Sequence, residues 1–522
     1  MWTRSLAVLS LVAIMTGHPE AGAPAPVPST DEAITHALNR LTFGPRAGDV
    51  ARVKAMGLQN WIDRQLNPSR IDDAAVLTRL ARLETLTLDS QTIQRDYSGP
   101  AMVARRERQA EAAKAGGAGG DSDPAPAPLR AMSDVQRKDR QVIADLEEAK
   151  LLRAVYSERQ LQGVLVDFWF NHFNVFAGKG ATRNYLTEYE REAIRPYVLG
   201  NFRDMLEATA KSPAMLFYLD NWQNVGPDSS SPGGAQRRPP GSRALSAEAR
   251  SAKVEAATPT RAAGLSPTSG APSARPNRGI NENYARELME LHTLGVDGGY
   301  TQTDIVNVAR ALTGWTMRPR EGSGTRFVTR LHDDQEKTVL GHTIKAGGGE
   351  DDIERVLDIL AAHPATARHL ATKLAMRLVS DTPPASLVDR AAARFTATKG
   401  DLREVVRTIV TSPEFFAAGA DRVKVKTPLE FVASALRATG AEVRSALPLA
   451  RELREMGMPL YFCQPPTGYD DTAATWVSAG ALVSRMNFAV ALGKNEIRGV
   501  RVSLSEDDAT ALKIGSPEFQ RQ

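Results

Sequence analysis

The chain has 522 residues, 42% hydrophobic and 24% charged, with a formal net charge of +4, and it is long enough to bury one large core or two. Its single cysteine, Cys463, excludes an internal disulfide, so packing must hold the fold without staples, and the thiol is expected to act as a small buried hydrophobe. The basic excess is local: between Asn224 and Arg278 eight basic residues face three acidic ones, which leaves a net −1 elsewhere and argues against nucleic-acid binding by the folded part.

The N-terminus, MWTRSLAVLSLVAIMTGHPEAGA, carries Arg4, an apolar run from Leu6 to Met15 and small residues at Ala21 and Ala23. This pattern predicts a signal peptide over 1–23 and a periplasmic or secreted protein, the run being too short for a membrane span. A helical N-terminal part follows over 29–97. There Ser29 and Glu32 predict a capping box ahead of Ile34, Ala37, Leu38 and Leu41, and Gly44-Pro45 stops the helix. A low-complexity insertion, expected to be disordered, runs over 98–132 and includes AGGAGGDSDPAPAP.

Central helices are predicted over 133–223, polar at first and apolar on nearly every side by VLVDFWFNHFNVF, which therefore belongs at the centre of the fold. Asp167 and Asn171 stand four apart and are expected to pair. His172 is read first as a hydrogen-bonded core residue and second as an acid, base or ligand. Asp220 and Asn221 sit where the chain leaves the core, to cap an end or face a cleft. The stretch 224–278 is rich in Ser, Pro, Ala and Gly and is predicted to be a disordered basic linker.

The stretch that organises the rest is NENYARELMELHTLGVDGGYTQTDIVNVARALTGW, Asn281 to Trp315, within a signature segment over 279–345. At 100° per residue its first helix buries Tyr284, Ala285, Leu288, Leu291 and His292 and ranks Glu282, Arg286 and Glu290 four apart in a ladder of charge pairs. Asn283 and Glu287 lie on the flank. Gly295 supplies the left-handed C-terminal position, and Thr301 with Asp304 predicts a capping box for a second helix bearing Ile305, Val308, Ala309 and Leu312. Beyond it Arg326 to His332 and Thr338 to Ile344 read as the two strands of one short hairpin linked by HDDQEK, with His332, Asp333 and Lys337 a candidate reactive cluster. Helices fill 346–495, and 496–522 is a tail.

No His-Glu-x-x-His, Cys-x-x-Cys, phosphate-binding glycine loop or nucleophile elbow is present, so the sequence assigns no cofactor. A metal site would have to be assembled from distant segments, for instance His172, Glu287 and His332 with Asp333. The fold class predicted is mainly α: a large multi-helix globular fold with one short β-hairpin and two disordered low-complexity insertions.

Six motifs, HALNRLTFGPRAGDVARV, VDFWFNHFNVFAGKG, MLFYLDNWQN, the Asn281 to Trp315 stretch, LHDDQEKTVLG and PPTGYDDTAATWVSAGALVSRMNFA, resemble in this order the bacterial family catalogued as domain of unknown function 1800. The resemblance covers nearly everything after the signal peptide except the two low-complexity segments. It implies an exported, mainly helical protein in which Asn281, Glu282, Asn283, Arg286, Glu287, Glu290 and Thr301 match signature positions. The family brings no established activity. It implies a partner: an exported protein resembling the alkaline-phosphatase and sulfatase superfamily, whose genes often lie beside it.

Two functional expectations follow. The first is a binding or assembly partner in the cell envelope, contacting its ligand through Asn281, Glu282, Asn283, Glu290, His292, Asp220, Asn221, His332 and Asp333. The second is an envelope hydrolase in which Glu287 or His172 is the general base and Arg286 orients an anionic substrate.

Overall fold

The computed structural model describes residues 27–115, 133–227, 279–318, 324–421, 424–502 and 513–522. The expected signal peptide, nearly all of the basic linker and the second half of the low-complexity insertion lie outside these residues. The first half of the insertion is described, and it forms a helix, Gly99–Ala115. The reason is compositional: AMVARRERQAEAAKA is made of strong helix formers, and the glycines begin only after it.

Helices dominate, and one continuous set of buried apolar residues runs from Ile34 to Ile514. At its centre lies the helix Gln160–His172, apolar on nearly every side and buried at Leu161 and from Val164 to Phe170. It packs against the long helix Asp134–Tyr156, the N-terminal helix Asp31–Leu41 and the π-helical segment Tyr189–Ile194. Trp169 is fully enclosed, edge-on to Phe168 and stacked over Phe173. Each such ring contributes roughly 1.5–3 kcal/mol of burial, so the predicted central position of this run is the main source of cohesion.

The two ends of the chain are tied together by polar groups. Arg40, at the last turn of the first helix, is buried and donates through Nε to the Leu378 carbonyl at 3.0 Å and through Nη2 to the Arg377 carbonyl. It thereby caps the carbonyl end of the helix Pro364–Leu378. The start of the first helix is set by Thr30, whose hydroxyl accepts from the Ala33 amide at 3.2 Å, not by Ser29 as the spacing suggested.

Three two-stranded sheets are present among the described residues. The expected pairing of Arg326 to His332 with Thr338 to Ile344 does not occur. Arg326–Phe327 pairs with Trp315–Thr316, and Lys337–Val339 pairs with His342–Ile344. Leu340 and Gly341 have φ of 49° and 80°, the two left-handed residues that a tight hairpin turn requires. Between the sheets Thr329–Leu331 winds into a short 3-10 turn, so HDDQEK links no strand pair. Among the described residues no helix is long and apolar enough to cross a membrane.

Candidate functional site: the signature helix and its joints

The signature helix spans Asn283–Met289 and continues as a π-helical turn, Glu290–Leu294, ending at Gly295 with φ 81°. Its buried side carries Tyr284, Ala285, Leu288 and Met289. The second helix, Gln302–Ala311, starts at the predicted capping box: Thr301 accepts from the Asp304 amide at 3.3 Å, and the Thr301 amide donates to Asp304 at 2.8 Å.

The asparagines stitch backbone to backbone. Asn281 donates from its amide to Asn224 Oδ1 at 2.9 Å and through Nδ2 to the Asp220 carbonyl at 3.1 Å, while Asn283 Nδ2 donates to the Leu219 carbonyl at 3.2 Å. Asn224 passes the connection to the Ala309 carbonyl at 2.8 Å, and Asn221 to the carbonyls of Leu312 and Trp315 at 3.3 Å each. Asp220, at φ 61°, pairs with Lys179 at 2.7 Å. Val225 also donates to the Gly279 carbonyl at 3.3 Å, so residues 225 and 279 meet at the same joint.

The charged ladder is incomplete. Arg286 pairs with Glu282 at 3.3 Å and with Gln302 at 3.2 Å, but Glu290 instead accepts from the Tyr300 hydroxyl at 3.1 Å. Glu287 enters no hydrogen bond or ion pair among the described residues. It is half-buried, and burial pushes its carboxyl above the ordinary value, with Glu290 adding to the rise and Arg286 opposing it. The same charge helps to raise the nearby Tyr218 phenol, after burial and Cys463. Tyr218 donates to the Gln464 carbonyl at 2.7 Å.

The histidines near this helix close its carbonyl end. His369 Nε2 lies 3.3 Å from the Leu291 carbonyl and His172 Nε2 3.1 Å from the His292 carbonyl. Those carbonyls end the π-helical turn, where the helix leaves acceptors without partners of its own. His172 and His292 are almost wholly buried, their rings 6.2 Å apart. Burial holds both well below the ordinary histidine range, His292 at about 3, with Lys373 adding to the effect. His172 is therefore neutral, with its hydrogen on the nitrogen facing the carbonyl.

His332 and Asp333 belong to a different place. His332 Nδ1 is 2.8 Å from the Thr313 carbonyl and Nε2 is 3.2 Å from Asp352 Oδ2. Lys337 donates to Asp352 at 2.6 Å and to the Gln335 carbonyl at 2.9 Å. Asp333 receives Arg310 on both oxygens, at 2.7 and 3.2 Å. Among the described residues no group of three or more His, Cys, Asp or Glu side chains is arranged to hold a metal ion, so His172, Glu287, His332 and Asp333 are not assembled into one.

Asp167 and Asn171 also separate. Asp167 accepts from Lys150 at 3.2 Å and Arg377 at 3.5 Å, while Asn171 exchanges two bonds of 2.7 Å with the backbone of Tyr469. Sequence reasoning passed over Arg377, Glu430 and Lys150. Arg377 pairs with Glu430 at 2.9 Å, and both are buried. A signal for them was present: Arg377 falls on the apolar face of its helix with Leu370, Leu374 and Leu378, and Thr427-Pro428-x-Glu430 is a capping box.

The fold and its joints define a mainly helical scaffold whose polar signature holds loops and helix ends together. The chain belongs to the family described as Protein of unknown function (DUF1800), whose model matches residues 36–521. No protein of curated function and no solved structure matches it.

Proposed function

We propose that this chain is an exported binding or assembly protein of the cell envelope, and that Glu287 is its contact. One observation carries the reading. Of the seven signature side chains, those of Asn281, Glu282, Asn283, Arg286, Glu290 and Thr301 are all bonded to other residues, and among the described residues that of Glu287 alone is not. Its carboxyl is half-buried but not sealed from solvent, so the surface around Glu287 offers an unclaimed acceptor that suits a cationic or hydrogen-bond-donating group. The partner proposed is an exported protein of the alkaline-phosphatase and sulfatase superfamily. Co-purification of the two from the periplasm of one cell, with the chain tagged, supports the pairing; recovery of the chain alone under conditions that retain both proteins contradicts it.

A hydrolase is the second reading, and it rests on the same carboxyl. A raised pKa is what a general acid or base requires. That role belongs to Glu287 with Arg286 as the anion clamp, and not to His172, whose Nε2 is taken by a backbone carbonyl. Hydrolysis of a phosphate, sulfate, acyl or glycosyl ester that Glu287→Gln abolishes, in a variant that still binds its partner, would favour this reading over the first.

A further inference from the structure

A second place in the molecule has the form of a ligand site. A cavity of about 710 Å³ opens between the helix Gly99–Ala115, the loop after Phe176 and the turn at Asn221–Gln223. Its volume is within the range that holds a small organic ligand, roughly 300–1,000 Å³. Phe217 and Trp222 stack in its wall with ring centroids 6.0 Å apart and planes 14° from parallel, and Met102 and Met317 extend the apolar surface.

The polar groups of the wall favour one sign of charge. Arg105, Arg183 and Arg318 line it against a single acid, Asp139, which pairs with Arg183 at 3.1 Å. Arg105 enters no hydrogen bond or ion pair among the described residues, and its exposed guanidinium stands at the rim. Ser98, Asn184 and Gln94 are already fixed to one another along the opposite wall, with Ser98 donating to Asn184 at 2.6 Å and Asn184 to Gln94. The wall is thus pre-organised, with an aromatic face and the Arg105 guanidinium at its rim.

We propose that this cavity binds a small organic anion with a planar aromatic body. The ring system lies against the aromatic wall, and the anionic group is held by Arg105. The site is separate from the Glu287 face, and either can fail without the other.

The test uses the full-length mature chain with two fluorescent probes, 8-anilinonaphthalene-1-sulfonate and its uncharged relative N-phenyl-1-naphthylamine, and two variants, Arg105→Gln and Ala101→Trp. Arg105 is exposed and Ala101 lies on the cavity wall, so unfolding curves matching wild type are expected for both. The expected result is one saturable site for the sulfonate. Arg105→Gln weakens the sulfonate about tenfold and the neutral probe less than about twofold, and Ala101→Trp, which fills the cavity, weakens both by about tenfold or more. Absence of saturable sulfonate binding, sulfonate binding unmoved by Ala101→Trp, or an equal effect of Arg105→Gln on both probes would each overturn the proposal.

Discussion

Lys337 places its ammonium 2.6 Å from Asp352 Oδ2, and both side chains are cut off from water. The pair holds the hairpin Lys337–Val339 and His342–Ile344 to the helix Asp351–Ala362. Burial alone would raise the Asp352 carboxyl, but the bonds from His332 and Lys337 prevail and hold it below its ordinary value. The motif that read as reactive is a structural knot.

Removing Lys337 leaves the buried Asp352 with His332 only, and removing Asp352 leaves the Lys337 ammonium with backbone carbonyls only; an ion pair broken in this way costs about 3–5 kcal/mol. Lys337→Met and Asp352→Leu are each expected to lose that much in urea unfolding. The double variant is expected to recover most of it, because neither charge then remains. Additive losses in the double variant would show that the pair is not coupled.

Acid should unfold the protein in two stages. Burial, assisted by neighbouring cations, holds His36 at about 4 and His292 at about 3. The unfolded chain binds these protons near pH 6.5 and the folded chain does not, so stability falls as pH drops from about 7 toward 4. Glu190 and Glu430 add a second stage. Burial would raise them, but Arg195 acting on Glu190 and Arg377 acting on Glu430, with further partners, bring both to about 2. Their contribution is present above the unfolded value near 4.5 and is lost as pH falls through 2. Chemical unfolding between pH 2 and 8 should show both slopes, and Glu430→Gln should flatten the lower one.

Glu147 works in the opposite direction. It is buried, its Oε1 lacks a hydrogen bond, and Arg454 is 3.8 Å away, so burial pushes it up to about 7. Below pH 4.5 it is protonated folded or unfolded and costs nothing; above 7 the folded state carries an unwelcome charge. Glu147→Gln is therefore expected to stabilise the protein at pH 8 by on the order of 2 kcal/mol and to be nearly neutral at pH 4. Unfolding free energies at those two values decide it.

His172 is expected to behave as a cap. His172→Ala leaves the His292 carbonyl without a partner and opens a cavity beside Trp169, and a loss of about 2–4 kcal/mol follows. A variant as stable as wild type in urea unfolding would contradict this placement.

Much of this was legible locally. The capping box at Thr301 and the apolar run ending at His172 are set by neighbours within a few residues, which is the range over which spacing reports geometry, and Gly295 ends its helix at positive φ but with ψ 164°, outside the left-handed helical conformation expected for it. What the sequence did not show depends on distant partners. Asn171 faces Tyr469 and not Asp167, Asp352 meets Lys337 from another element, and Arg40 reaches Leu378. The hairpin was misplaced because Leu340-Gly341 was read as strand interior when its backbone makes the turn. Lys337 and Val339 point inward and Thr338 outward, an alternation that marks Lys337 as a buried cation without naming its acid.

The most direct measurement is the affinity of the purified chain for the partner proposed above, an exported protein of the alkaline-phosphatase and sulfatase superfamily, for wild type and Glu287→Lys. Among the described residues the Glu287 side chain has no partner to lose, so unchanged unfolding and binding weakened by about tenfold or more are expected. Equal affinity of a well-folded Glu287→Lys variant would contradict it.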